Sequence, residues 1–544
     1  MPCGSAGRIA RGTRGTGFAR LTIRAMPLHR FHGGLRLAPQ KGAAAGPVIA
    51  CPLPPQLVVP LRQHAGRAAL PCVQPGQAVL RGEPVGRAAE GVSATVHAPS
   101  SGLVRAIETR ALVDGAGPCV VIEPDGRDEW QRLPRLSWRE AAPDALRERI
   151  REAGVVGLGG AAFPSAVKLA APVAHLIVNG AECEPYIACD EGLLRERAAD
   201  VVHGAALLAR IVGATQITIA VEDRMRDARA ALDAALRDAG LPQVTIVDVP
   251  TIYPEGGERQ LTRVLTGREV PAGGLPRDIG VLCQNVATAY AAWRAVEHGE
   301  PLTSRIVCVT GAGVHAPRNL EARLGTPLGF LVDAAGGYTA AAARLVAGGP
   351  MMGTALPHDA IPLAKGMNAV LVLGAGDVAA RAPELPCIRC GECSRVCPAQ
   401  LMPQELHAAI AADDLPAAQA LRLDACIECG CCDYACPSQI PLVESYRRAK
   451  SALAVQHADR VRADHARERF HARNARLARE QAERVERVAA RREALEQEQA
   501  AKATAPAEVL AEAPKTMDKA AVLAAIARAK AKKAGQGKPP ENGP

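Results

Sequence analysis

Cys387-Ile388-Arg389-Cys390-Gly391-Glu392-Cys393-Ser394-Arg395-Val396-Cys397-Pro398 is a C-x2-C-x2-C-x3-C run closed by proline. Cys426, Cys429, Cys432 and Cys436, with Pro437 behind them, repeat the spacing, each 39 positions (426 − 387) after its counterpart. Two-residue gaps let three successive thiolates wrap one corner of a cubane, and the fourth cysteine of such a run ligates the other cluster. The spacing therefore predicts two [4Fe–4S] centres, one on Cys387, Cys390, Cys393 and Cys436, the other on Cys426, Cys429, Cys432 and Cys397. Zinc is the competing reading of C-x2-C pairs, but it takes four ligands from two separated pairs and has no use for four cysteines in one run. Cys431 lies out of register and reads as a bystander. The chemistry implied is electron transfer.

The rest of the composition agrees with a metalloprotein in a reducing compartment. The chain has 544 residues, enough for three or four domains at about 150 residues each. Seventeen cysteines without a recognisable secretory signal argue against a disulfide framework. Hydrophobic residues make up 48% and charged ones 22%, as in globular proteins, whereas aromatics are only 3%, so the cores rest on Val, Leu, Ile and Ala. No run of about 18 uncharged apolar residues is present to span a bilayer. The net charge of +9 sits largely at the two ends of the chain, and with so few aromatics to stack bases it does not describe a nucleic-acid binder.

Upstream of the cysteines the sequence changes texture several times. Residues 1–30 read as a disordered extension, arginine-rich and without an apolar face, with Met26 as an alternative start. Residues 31–130 are short apolar runs cut by Pro and Gly, such as Leu57-Val58-Val59-Pro60 and Gly102-Leu103-Val104, hence a small β-domain. Its His64 and His97 read as structural. Residues 136–300 alternate strands (Ala174–Asn179, Gln216–Val221, Val244–Val249) with helices (Met225–Ala239), an α/β layer on a parallel sheet. Residues 301–376 return to strand and turn, with Ile306–Thr310 and Ala369–Leu373 clearest, and 380–445 hold the cysteines. Residues 446–544 form a charged helical or disordered tail, in which Glu480 with Arg484 and Glu483 with Arg487 are spaced as helical pairs and Phe470, Leu477, Val485, Val488 and Leu495 make a thin apolar stripe.

Gly157-Leu158-Gly159-Gly160-Ala161-Ala162-Phe163-Pro164 fits G-x-G-x-x-A, but helical text precedes it where a dinucleotide fingerprint needs a strand. Such a loop is either a tight turn or a place where phosphate or a flat ring approaches the backbone. With Ser165-Ala166-Val167-Lys168 it resembles the flavin loop of the NADH-oxidising flavoprotein of respiratory complex I. Asn179-Gly180-Ala181-Glu182-Cys183-Glu184-Pro185, Tyr253-Pro254-Glu255-Gly256-Gly257-Glu258 and Asn285-Val286-Ala287-Thr288 resemble that family's further motifs. In order and spacing, with the ferredoxin repeat behind them, the motifs resemble more closely the RnfC/RsxC component of the Rnf/Rsx ion-translocating oxidoreductases. That resemblance runs from about Phe31 to Lys450.

The resemblance implies an N-terminal barrel-sandwich domain, a central FMN- and NADH-binding α/β domain, a β-grasp (soluble-ligand-binding) domain, and a two-cluster ferredoxin domain. It places Gly159, Gly160, Lys168, Asn179, Glu182, Glu184, Tyr253, Glu258, Asn285 and Thr288 around FMN and the nicotinamide nucleotide, with Lys168 balancing flavin charge. The departures are Ala181, where the complex I family has Asp, and Gly257, where it has Glu. The implied protein is a two-electron to one-electron converter that is peripheral on the cytoplasmic side of a bacterial inner membrane. Its partners would be the membrane subunits of a complex of six, together with ferredoxin or another redox protein. A soluble cobalamin-reductase-like enzyme and a ferredoxin-like adaptor without nucleotide are the alternatives.

Overall fold

A computed structural model describes residues 27–378, 383–504 and 519–534. Of the extension expected over 1–30, only 27–30 are among them, as exposed coil. The chain divides into two compact units, 1–454 and 455–544.

In the first unit, strands Leu57–Pro60, Ala78–Val79, Gly102–Leu112 and Gly115–Pro124 make one sheet, and Leu70–Pro71, Pro84–Arg87 and Val96–His97 a second. Leu57, Val59, Leu61, Val85, Val96, Val104, Val120 and Ile122 fill the space between the sheets. The stretch before Leu57, expected inside this barrel, runs elsewhere. Ile49–Ala50 pairs in parallel with Leu320 and Glu321 of the β-grasp sheet, and residues 29–35 bind the flavin-type and cysteine-bearing regions.

The central domain is a four-stranded, wholly parallel sheet in the order Val244–Val249, Gln216–Glu222, His175–Gly180, Val281–Asn285. Its middle strands are apolar because helices cover both faces, as parallel sheets require. The helix Cys189–Val212 packs against Arg226–Ala239 on one side and Val286–Glu297 on the other. Since the chain steps outward from His175–Gly180 and then returns to its other side, the strand order reverses between His175–Gly180 and Val281–Asn285. That switch point is where open α/β sheets leave a crevice at the strands' carboxyl ends.

The six-stranded mixed β-grasp sheet centres on Ser304–Thr310 and Ala369–Gly374. It carries a helix, Leu328–Ala334, that strand-and-turn text did not reveal, because its seven residues hold too few turns for a visible 3.6 period. Leu328, Leu331 and Val332 anchor it in the core. The helix Leu442–Ala503 begins in the first unit, where Leu442, Val443 and Tyr446 are buried. Within the second unit its residues are exposed, the stripe from Phe470 to Leu495 included. Glu483 pairs with Arg487 as expected, whereas Glu480 pairs with Arg476 at 3.5 Å rather than with Arg484. A last helix spans Lys519–Ala534.

Lys365 stitches the barrel, central and β-grasp domains together. Wholly buried, it donates to the Thr95 and Gly154 carbonyls at 2.8 Å each. Beside it His97, on a strand rather than in a turn, is 2% exposed with no partner for Nδ1. Burial, then Lys365, holds His97 down at about 3 and His64 at about 4. A folded-state value below the unfolded one means that the unfolded chain takes up the proton first, so stability is lost as pH falls through 6.5 toward those values. We expect His97→Leu to remove about 3 kcal/mol of the stability lost between pH 6.5 and pH 4, read by denaturant unfolding at both values.

Candidate functional site

The switch point gathers most of the residues singled out in the central domain. Asn285 ends its strand and Asn179 stands next to last in the neighbouring one, the two paired in register. Asn285 Oδ1 accepts from Ala287 N at 2.8 Å, capping the helix Val286–Glu297, and its Nδ2 donates to Asp190 at 2.5 Å. Asn179 is held the same way, accepting from Ala181 N and donating to the Gly256 carbonyl. The glycine loop lies against this pair. A Cβ on Gly159 would sit 3.2 Å from that of Asn285, and Leu158 N donates to Thr288 Oγ1 at 2.9 Å. Gly160 has φ +119°, and the space its Cβ would occupy is open. Lys168 Nζ reaches Glu258 Oε1 at 2.8 Å and the Cys283 carbonyl at 2.7 Å, fixing a half-buried cation at the same end of the sheet. An open backbone cradle, paired asparagines and a fixed cation suit a phosphate-bearing flat ring.

Three of the singled-out residues are engaged differently. The Glu182 carboxylate accepts from Asp190 N at 3.0 Å and Glu191 N at 3.3 Å, so it caps the helix Cys189–Val212. Glu184 Oε1 accepts from Met351 N and Met352 N, tying the β-grasp loop to the central domain, and burial pushes its carboxyl up. Tyr253 donates its hydroxyl to the Cys429 carbonyl at 2.6 Å and packs with Cys429 and Cys431, so it joins the crevice strand-ends to the cysteine region. Lys41, which no motif marked, holds this turn by donating to the carbonyls of Glu182, Glu184 and Ile187. Its signal in the sequence is only a lone cation before Gly42-Ala43-Ala44-Ala45.

The two cysteine runs adopt one conformation twice. Arg389 and Glu428 (φ 54° and 58°), Gly391 and Gly430 (78° and 76°), and Gln400 and Gln439 (56° and 55°) are left-handed at matching positions. Each run then turns into a short helix, Glu392–Arg395 or Cys431–Ala435. Cys387, Cys390, Cys393 and Cys436 line one shared cavity. Cys397, Cys426, Cys429 and Cys432 are close enough to perturb one another. Leu401 N donates to Cys397 Sγ and Glu428 N to Cys426 Sγ, each at 3.4 Å, the kind of bond that stabilises a cluster thiolate. His407 also lines the first cavity, but each set offers four thiols, and four sulfur donors with amide support suit an iron–sulfur cubane. The second set faces the central domain through Tyr253, and the N-terminal stretch binds it too: His32 Nδ1 bonds the Cys397 carbonyl at 2.9 Å and Gly34 N the Val396 carbonyl at 3.0 Å. Cys387 and Cys390 are exposed instead.

Family models match in the same order along the chain: the RnfC barrel sandwich hybrid domain over 29–127, the Nuo51 FMN-binding domain over 150–294, the SLBB domain over 306–355, and the 4Fe-4S dicluster domain over 381–452. The chain is 43% identical to the RnfC component of the ion-translocating oxidoreductase complex of Rhodobacter capsulatus, covering 74% of this chain and 79% of that protein. The chain belongs to this RnfC family. Its counterpart in Pseudomonas aeruginosa is 47% identical over 467 residues, 84% of this chain and 60% of that protein. The Erwinia tasmaniensis member is 44% identical, over 84% of this chain and 57% of that protein. The chain thus spans about three fifths of the length of these last two family members. A solved NAD+-reducing [NiFe]-hydrogenase is also similar at TM-score 0.42 and 24% identity, over 56% of this chain and 63% of that one. No helix among the described residues is long and apolar enough to cross a membrane.

Proposed function

We propose that the chain is the peripheral electron-transfer subunit of a membrane-bound ion-translocating oxidoreductase, passing electrons between NAD(H), FMN and two [4Fe–4S] clusters. The observation that carries this reading is the glycine cradle at the sheet's switch point, linked through Tyr253 to Cys429. When bound, FMN would trade electron pairs with a nicotinamide and single electrons with the clusters. Gly159, Gly160, Lys168, Asn179, Glu258, Asn285 and Thr288 would hold the flavin. Glu182, Glu184 and Tyr253 would shape its surroundings from the positions described above. Cys387, Cys390, Cys393 and Cys436 would hold one cluster, and Cys426, Cys429, Cys432 and Cys397 the other. The domain spans that go with this reading are 31–130, 136–300, 301–376 and 380–445.

The chain's own residues contribute placement and charge. Lys168 and Glu258 form an ion pair at the crevice, where an incoming phosphate or ring would compete for the ammonium. Gly257 leaves room that Gln260 fills: a Cβ there would lie 2.4 Å from Gln260 Oε1, and Gln260 reaches the Pro398 carbonyl at 3.5 Å. The position that holds a glutamate in the complex I family thus serves here to join the helix Glu258–Thr266 to the cysteine region. The partners that fit are the membrane subunits of the complex, in a hetero-oligomer of six, and a ferredoxin or other redox protein. The setting is the cytoplasmic face of a bacterial inner membrane, with ion movement left to those subunits.

The test is anaerobic purification, flavin and iron assay, and NADH titration followed by visible spectroscopy. Bound flavin, about eight irons, and bleaching of flavin then clusters on NADH addition are expected. A preparation with iron but no flavin at any stage would overturn the converter reading in favour of a ferredoxin-like adaptor.

A further inference from the structure

Against the glycine loop, with neither Lys168 nor Asn179 in its wall, lies a cavity of about 270 Å³. Its wall is drawn from the barrel (Arg81, Trp130), the central helices (Asp190, Arg197, Tyr290, Arg294) and the start of the β-grasp domain (Thr303, Arg305). Leu158 and Ala287 also line it, whereas Gly159, Gly160, Lys168 and Asn285 do not. It is therefore separate from the flavin-type crevice, though it shares the loop as a partition. The volume is slightly below the roughly 300–1,000 Å³ of ordinary small-molecule sites, which suits a compact metabolite and is too small for a dinucleotide.

The charges in that wall do not balance. Arg81 is paired with Asp128 at 2.8 Å, and Arg132 and Arg294 share Glu300 at 3.0 and 2.5 Å. Arg305 and Arg197 face no carboxylate within ion-pair distance. Arg305 is 5% exposed and donates to backbone carbonyls, those of Ile306, Lys365 and Leu158, with the Cys189 thiol beside it. Arg197 sits at a kink in the helix Cys189–Val212 (φ −130°, ψ 29°), and its guanidinium bonds only the Glu196 carbonyl, at 3.4 Å. Glu321 lines the wall but lies beyond ion-pair distance of both. Asp190, the other acid present, bonds Asn285, and burial together with Glu182 raises it to about 7, so it is a weak counter-charge at neutral pH. Tyr290 lines the same wall. Asp190 and Glu182 act on Arg305 only from beyond ion-pair contact, and a buried guanidinium held by carbonyls alone gains from an anion that brings its own acceptors.

We propose that this cavity is a binding site for a small organic oxyanion, a carboxylate or phosphate ester, held by Arg305 and Arg197 with the Tyr290 hydroxyl as a further donor. The proposal does not depend on the flavin reading. Because Arg305 also holds the Leu158 carbonyl, an occupant would bear on the back of the glycine loop.

Isothermal titration and thermal unfolding of the full chain test it, with inorganic phosphate and succinate as separate probes against sodium chloride at matched ionic strength. Saturable binding of at least one probe is expected, weakened at least tenfold by Arg197→Ala, an exposed site whose loss leaves unliganded stability unchanged. Tyr290→Phe should weaken it several-fold. Phosphate alone binding would assign a phosphorylated ligand, and succinate alone a carboxylate. Lys168→Met, a change at a residue that does not line the cavity, should leave binding intact, which separates this site from the crevice. Absence of saturable binding by wild type up to tens of millimolar would overturn the proposal, as would equal binding by wild type, Arg197→Ala and Tyr290→Phe.

Discussion

Cys397→Ser and Cys426→Ser, made together, are expected to cost the protein one cluster and leave the other: iron falls from about eight to about four per chain, and the reduced protein shows the spectrum of a single, uncoupled centre. The two cysteines lie in different runs, so an arrangement in which each run built its own cluster would lose both. The crossed arrangement puts both on the same centre, with Cys429 and Cys432, and that is how the structure groups them. Cys436→Ser should remove the other centre, whose cavity it closes with Cys387, Cys390 and Cys393. Combined with Cys397→Ser it should abolish iron altogether. Iron assay and electron paramagnetic resonance of the two double variants read the difference directly. Loss of all iron from the Cys397→Ser, Cys426→Ser chain would show that each run ligates within itself. Cys431→Ser, by contrast, should keep all the iron: that thiol lies against Cys429 and Tyr253, but it stands out of register with both cysteine runs, each of which already offers its ligands without it.

The cysteine spacing was legible because cluster ligation imposes its own periodicity, written in the covalent chain and indifferent to what surrounds it. The parallel sheet was legible for a similar reason. Strands buried on both faces must be apolar throughout, and Gln216–Glu222 and Val244–Val249 lie within a residue of where the sequence put them. What the sequence could not show were partners set by long closure. Glu182 and Glu184 stand in a motif that resembles a nucleotide site, yet their carboxylates meet a helix start and a loop 167 residues on, at Met351. Nothing local distinguishes a carboxylate aimed at solvent from one capping a helix. Likewise Lys41, Lys365 and Arg305 are single cations in unremarkable text, and only the folded chain shows that Lys41 holds the distant 182–187 turn and that Lys365 and Arg305 each gather backbone carbonyls from separate segments. The short stretch before Leu57 was read into the barrel by its neighbours' texture, although its pairing lies with Leu320 and Glu321.

Gly160→Val should strip the flavin from the protein while sparing both clusters. At φ +119° the backbone is in a region that L side chains rarely adopt and β-branched ones least of all, so the loop must either strain or shift. A valine also projects into the open space that makes the loop a cradle, so even a loop that kept its path would fill the place a ring or phosphate needs. The two effects add against the ligand: backbone strain of about 1–3 kcal/mol, and the loss of close approach between ligand and main chain. Together they should weaken FMN retention by at least ~10²-fold, since each 1.4 kcal/mol is a factor of about ten. Gly159→Ala should do less, because its Cβ meets only the Asn285 side chain, at 3.2 Å. The cysteine domain lies beyond Tyr253 and takes nothing from the loop, so iron per chain should not change. The decisive pair of measurements is flavin and iron on the same preparation. Flavin lost with iron kept places the flavin on this loop; flavin retained at wild-type levels would mean that the glycine run is only a turn and that the cofactor, if bound, sits elsewhere.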